Sequence, residues 1–213
     1  MILNVPQLAT LPLPLTRFCL PLCVKALLDY HGINLPIKEV AEGMNTTQSN
    51  GTYIESAAEF LASLGLRPRL SYFDPLIHSN WYRNASKKRI ANHLKRRRRS
   101  RKRISYRKTV ARLSEFMERG GVFEPRVMSP ADLKKLIRER RPVVVGVEQI
   151  HLIPSTQRRV VGQLNHHAVI VIGYQKDRVI FLDPEAVTAR PRRKSESDFL
   201  RAWYIGGGDA LYV

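Results

Sequence analysis

Asn165–Pro184 reads NHHAVIVIGYQKDRVIFLDP. Two apolar, β-branched runs flank a short polar link, which is the pattern of a β-hairpin. With a three-residue loop at Tyr174, Gln175 and Lys176, Gly173 would pair with Asp177. In that register Val171 faces Val179, Val169 faces Phe181 and His167 faces Asp183. Directly opposed residues have Cβ atoms about 4.5–5.5 Å apart, close enough for a carboxylate to hold one imidazole nitrogen. His166 would then point to the other face, because strand side chains alternate. A two-residue loop would break this match, so the pairing depends on register.

Outward from the hairpin, Pro142–Glu148 (PVVVGVE) reads as a buried strand, and residues 149–165 as a loop leading into His167. Arg190–Lys194 reads as a basic loop before a capped helix, SESDFLRAWY, and DALYV closes the chain as a strand. The first half reads as helices. TRFCLPLCVKALLDYHG places a helix that tolerates Pro21 in its first turn and stops at Gly32, with Leu22, Ala26 and Leu27 as a buried stripe. LPIKEVAEGM is a short helix. Thr52 and Glu55 have the spacing of a capping box ahead of IESAAEFLASLG. RPRLSYF reads as a strand, and Phe73–Tyr82 as irregular. Residues 86–119 read as two helical pieces broken near Ile104–Arg107, stopping at Gly120–Gly121. Ser129, Pro130 and Asp132 start SPADLKKLIRER as a helix. Helices first and an antiparallel sheet last give an α+β fold.

Cys19 falls at or near the first residue of the N-terminal helix. A thiol is a useful nucleophile only as thiolate, and a helix N-terminus and a nearby imidazolium both favour that form. Cys23, one turn on, is read as packed inside the helix. Cys19, His167 and Asp183, with His166 as the fallback imidazole, are therefore the candidate site for acyl-transfer chemistry.

These stretches resemble a family. FCLPLC occupies the place of the Asp-Cys-Gly-Pro-Ala-Cys box of papain-like cysteine peptidases that remove double-glycine leaders from bacteriocin precursors. HHAVIVIGY, DRVIFLDP and RPVVVGV resemble that family's His strand, Asp-Pro strand and preceding core strand. Pro6–Gln7 resembles the segment bearing its oxyanion glutamine. The resemblance implies a papain-like fold with N-terminal helices packed on a C-terminal antiparallel sheet. It implies Cys19 as nucleophile, His167 as general base and acid, Asp183 as orienter, and Gln7 with the Cys19 N–H as oxyanion donors. The expected substrate is a peptide or protein. The chain departs from the pattern at Leu20, in place of Gly, at Leu22, in place of a small residue, and at Phe18, where Asp is common.

The 213 residues fit one domain, 44% hydrophobic, with two cysteines too few and too close for a disulfide framework. No basic n-region or long apolar run marks a signal peptide or membrane span, so a cytoplasmic protein is expected. Cys19, Cys23 and His31 lack a second ligand pair at finger-like spacing, so neither a metal nor a cofactor is expected. The net charge of +18 is local: Arg83–Arg112 holds fifteen basic residues and no acidic one, leaving +3 for the rest. This Arg/Lys-rich helical insertion (83–112) is read as docking an anionic substrate or partner. Nucleic acid is a less favoured occupant, because Trp81 and Tyr106 flank the dense run KRRRRSRKR (Lys95–Arg103) without interleaving it. Leu20 and the charge run motivate an alternative reading, a non-catalytic binding module whose basic segment holds nucleic acid or an anionic surface. A related acyl transferase is a third.

Overall fold

The N-terminal helix α1 (Cys19–Tyr30) buries Leu20, Leu22, Cys23, Val24, Ala26, Leu27 and Leu28, so it is wrapped by the protein on most sides. It ends where Gly32 takes a left-handed backbone, φ 78°, and the Ile33 N–H returns to the Leu28 carbonyl at 2.9 Å. Glycine suits that turn because it has no Cβ to clash. The structure is a computed structural model that describes residues 1–6, 18–46, 51–74, 77–97, 104–152, 166–186 and 190–213.

Two further helices, α2 (Ile37–Gly43) and α3 (Ile54–Ser63), follow. The expected capping box at Thr52 does not form. Tyr53 is the cap residue and makes no side-chain bond, while Glu55 is buried and accepts from Thr109 Oγ1 at 2.7 Å. A tertiary partner has replaced a local one. After β1 (Arg69–Ser71) comes a 3-10 turn, Asn80–Asn84. The basic segment forms α4 (Lys87–Arg97) and α5 (Ile104–Glu118), so α5 begins where the sequence suggested a break. A strand the sequence did not announce, β2 (Val122–Glu124), follows Gly121 and pairs parallel with β1. Helix α6 (Pro130–Arg138) has the expected cap. Ser129 Oγ accepts the Asp132 N–H at 3.1 Å, and the Asp132 carboxylate accepts in return from the Ser129 N–H at 3.3 Å.

Strand β3 (Val143–Glu148) leads into a short helix, α7 (Gln149–Leu152), at the start of what was expected to be a loop. Then come β4 (His166–Gln175) and β5 (Arg178–Leu182). Part of the expected basic loop is instead a strand, β6 (Arg192–Ser195), paired antiparallel with β5. The chain ends with α8 (Glu196–Ile205), capped by Ser195 over the Asp198 N–H, and β7 (Ala210–Tyr212). The sheet order is β2-β1-β7-β3-β4-β5-β6, antiparallel everywhere except between β1 and β2. Leucines of α1, valines of β3 and β4, and Ile90, Leu94, Val110, Leu113 and Phe116 of the basic helices share one hydrophobic core. No helix of the described residues is long and apolar enough to cross a membrane.

The hairpin register differs from the expectation. Gln175 pairs with Arg178, so the loop has two residues, with Lys176 left-handed at φ 54°. That turn alone would put His167 and Asp183 on opposite faces. A bulge between Val171 and Gly173 inserts one residue and restores the parity, so that Val171 faces Phe181 and Ile170 faces Leu182. The register then runs on to set Val169 opposite Asp183, with His167 as the diagonal neighbour on the same face. Diagonal positions lie about 7–8 Å apart, within reach of an imidazole and a carboxylate. The bulge has its own partners: the Leu3 N–H donates to the Ile172 carbonyl at 2.8 Å, and Ile2 bridges Gly173.

Candidate active site

Cys19 is the first residue of α1 and is half-buried, while Cys23 is fully enclosed. Phe18 before it supplies no side-chain cap, and the Leu22 N–H is bonded to the Phe18 carbonyl at 3.0 Å. Pro21 has no N–H. The first-turn amides that helical geometry leaves over are therefore those of Cys19 and Leu20, beside the thiol. Leu20 and Leu22 belong to the buried core, so the bulk they add to the Cys box is taken up there.

His167 is the second residue of β4, opposite Val147 of β3, and is buried; His166, the first, is exposed. The two neighbours thus separate as alternation requires. The His167 Nε2–H donates to Asp183 Oδ1 at 2.8 Å. Cys19 lies close enough to the same imidazole to raise its pKa. With Nε2 committed to the carboxylate, Nδ1 is the nitrogen left for the sulfur. Glu185 Oε1 stands 3.9 Å from that Nδ1.

Asp183 is held from three sides. Besides His167, its Oδ1 accepts the Glu185 N–H at 2.9 Å, and Arg192 Nε lies 3.4 Å from its Oδ2. Glu185 in turn accepts from Gln149 Nε2. The sequence reading did not include Glu185, Arg192 or Gln149. Arg192 had been placed in a loop, and only the β5–β6 pairing, with Arg192 opposite Phe181, brings it to the site. Gln7 lies outside the described residues. His31 stands at the far end of α1, away from the thiols.

The electrostatics follow from burial and these partners. Burial by itself would lower the His167 pKa, but the Asp183 carboxylate and Cys19 outweigh it and push it up to about 10. Burial would raise Asp183, yet His167, the Glu185 amide and Arg192 hold it below the usual carboxylate range. Burial pushes the Cys23 thiol up, with Cys19 and Asp183 adding to the effect, so it is the inert cysteine of the two. The site thus holds an imidazolium between a buried carboxylate and a half-exposed thiol at a helix start. That arrangement can deliver a sulfur nucleophile and then a proton to a leaving group.

Comparison with known proteins bears on the fold and the family. A C39-like peptidase from Bacillus anthracis superposes with a TM-score of 0.59 at 15% identity, covering 99% of this chain and 96% of that one. The peptidase domain of Streptococcus ComA, a bifunctional ABC transporter involved in quorum sensing, gives a TM-score of 0.49 at 18% identity, with the same coverage. No curated protein matches the sequence. The Peptidase_C39 like family matches residues 2–211, nearly the whole chain, and the protein belongs to that family.

Proposed function

We propose that the protein is a cysteine peptidase that hydrolyses peptide bonds through Cys19, His167 and Asp183, with a precursor peptide as its physiological substrate. Family and fold support a peptidase function. The observation that carries the residue roles is the His167 imidazole, bonded to Asp183 at 2.8 Å and with its pKa raised by Cys19 as well as by that carboxylate.

In this reading Cys19 Sγ attacks the scissile carbonyl carbon. The oxyanion is held by the Cys19 N–H and the Gln7 side-chain amide. His167 gives its proton to the departing amine, leaving a thioester on Cys19. His167 then takes a proton from water, which attacks the thioester and frees the acid. Asp183 keeps the ring in place and stabilises its charged form, and Arg192 and the Glu185 amide fix Asp183. Burial of Leu20 and Leu22 in the core leaves the departures at those positions compatible with an open thiol. We read residues 1–213 as one peptidase domain, because the apolar faces of α4 and α5 join the same core as α1 and the sheet. The chemistry needs Cys19 reduced, which a cytoplasmic setting maintains.

The test is hydrolysis of a quenched fluorescent peptide library by wild type and Cys19→Ala, with iodoacetamide labelling read by mass. Cleavage lost in the variant, and labelling at Cys19 but not Cys23, are expected. Cleavage as fast in Cys19→Ala as in wild type overturns the reading. Gln7→Ala is expected to lower kcat by about 10²–10³-fold.

A further inference from the structure

The strongly basic face of α4 and α5 is not used by the chemistry above. Lys87, Lys88, Arg89, Arg96, Arg107 and Lys108 are exposed, and no acidic side chain among the described residues pairs with them. Lys95 alone of the exposed group is neutralised, by Glu118 at 3.2 Å. Strand register shows where this face stands. Ala210 of β7 pairs with Val145 of β3 and with Ser71 of β1, so β1 and β3 run in the same direction. Moving from Val145 to Val147, which faces His167, is therefore the same move as from Ser71 to Phe73. Tyr72–Asp74 thus lie at the sheet end that carries Cys19 and His167.

The basic helices are tied to that end. Glu55, Asp74 and Asp209 all act on Tyr72, and Thr109 of α5 donates to Glu55 at 2.7 Å. Arg112 lies over the ring of Tyr53 at 5.2 Å, just before α3. Arg97, the last residue of α4, donates to the Ile77 carbonyl at 2.9 Å, three residues past Asp74. The end of α4 and the start of α5 thus project at the site end of the sheet. Strand β1 is three strand spacings from β4, about 14 Å, and an extended peptide covers that in about four residues.

We propose that this face docks an acidic stretch of the peptide substrate, beginning at least about four residues from the scissile bond. The inference rests on the peptidase reading for its substrate, but its binding test does not. Charge complementarity picks the class of partner, and two observations pick the peptide. Among the described residues of α4 and α5, Ile90, Leu94, Val110, Leu113 and Phe116 all turn inward and leave no apolar wedge for a membrane. Among the described residues, Trp81 lies under Arg89 at 4.9 Å, Tyr106 is buried, and the exposed Tyr53 lies under Arg112 at 5.2 Å, so a base would have to displace a partner to stack on any of these rings.

The experiment uses the full chain with Cys19→Ala and a fluorescein-labelled decaglutamate read by anisotropy. Binding that weakens steeply with added salt, and weakens about tenfold or more in Arg96→Gln/Arg107→Gln/Lys108→Gln at unchanged circular dichroism, is expected. Equal affinity in the two proteins overturns the proposal. So does tenfold tighter binding of a labelled oligothymidylate or of phosphatidylserine vesicles at the same salt. A second readout uses wild type: a pentaalanine tail on either end of hexaglutamate is compared with hexaglutamate alone. One tailed peptide is expected to slow iodoacetamide labelling of Cys19 about fivefold or more relative to the untailed one. If neither does, the docking is not on the path to the thiol and the proposal falls. Failure of Cys19 to label at all sinks the nucleophile assignment, while the anisotropy result still decides the docking.

Discussion

His167 is buried, yet its ring is held charged, because Asp183 on one nitrogen and Cys19 beside the other outweigh the cost of burial. Replacing the carboxylate by an amide in Asp183→Asn removes that balance while keeping the shape. The expected result is a loss of about 10²–10⁴-fold in kcat/KM and slower iodoacetamide labelling of Cys19. The pair also writes a signature into stability. His167 has a folded pKa raised from 6.5 to about 10, so its contribution is full below pH 6.5 and is lost as pH rises towards 10. Asp183 has its folded pKa lowered from 3.8, so its contribution is present above that value and is lost as pH falls below it. The pair therefore stabilises most between about pH 4 and 6.5. Arg192→Gln relaxes the depression of Asp183, so it should lower the melting temperature at pH 6, where the carboxylate is charged, and the difference from wild type should shrink as pH falls below 3.8. Cys19, His167 and Asp183 could be named from the sequence as candidates because their residue types and settings fit acyl-transfer chemistry. Glu185, Arg192 and Gln149 were not, because nothing local distinguishes them from other surface Glu, Arg and Gln.

At the scale of elements, the hairpin was legible and its register was not. Alternation of apolar residues fixes which face a side chain takes, but loop length and bulges decide who stands opposite. Lys176 adopts a left-handed backbone without being Gly or Asn, so the two-residue turn carried no signal. The bulge depends on Gly173, where an added Cβ would lie 2.6 Å from the Met1 carbonyl oxygen. Gly173→Ala should therefore displace the N-terminal segment and destabilise by about 1–3 kcal/mol, read as a lower denaturation midpoint. The α6 cap was legible because Ser129 and Asp132 satisfy each other within one turn; Ser129→Ala should cost about 1 kcal/mol. At α3 the same logic failed. Glu55 found a better partner in Thr109, fifty-four residues away in sequence, and no local pattern encodes that choice.

Across the whole molecule, charge is unevenly shared between surface and interior. Asp209 is buried beside Glu55 and Asp74, and burial together with these like charges pushes it up to about 8. An acid whose folded pKa is raised loses stability as pH climbs from its ordinary value, 3.8, to the folded one, and the loss persists above it. Asp209→Asn should accordingly raise the melting temperature relative to wild type most at pH 9, less at pH 5, and hardly at all below pH 3.8. The basic segment is joined to the same body by its buried apolar face and by Arg119–Glu59 at 3.4 Å, while Lys95–Glu118 ties α4 to α5. Its Arg–aromatic contacts, Arg89 on Trp81 and Arg97 on Tyr106, show that the flanking rings do interleave with the charges in space, contrary to their separation along the chain.

What the sequence by itself determined was most of the helices, the β3–β5 strands and the candidate reactive side chains. Periodicity, caps and residue chemistry act within a few residues and so are written locally. Only the tertiary structure decided that His167 meets Asp183 on a diagonal through a compensating bulge, that Arg192 and Glu185 brace the carboxylate, and that the arginine-rich helices stand at the thiol's end of the sheet. Those outcomes depend on which distant segments pack together, and packing is settled by the closed chain as a whole.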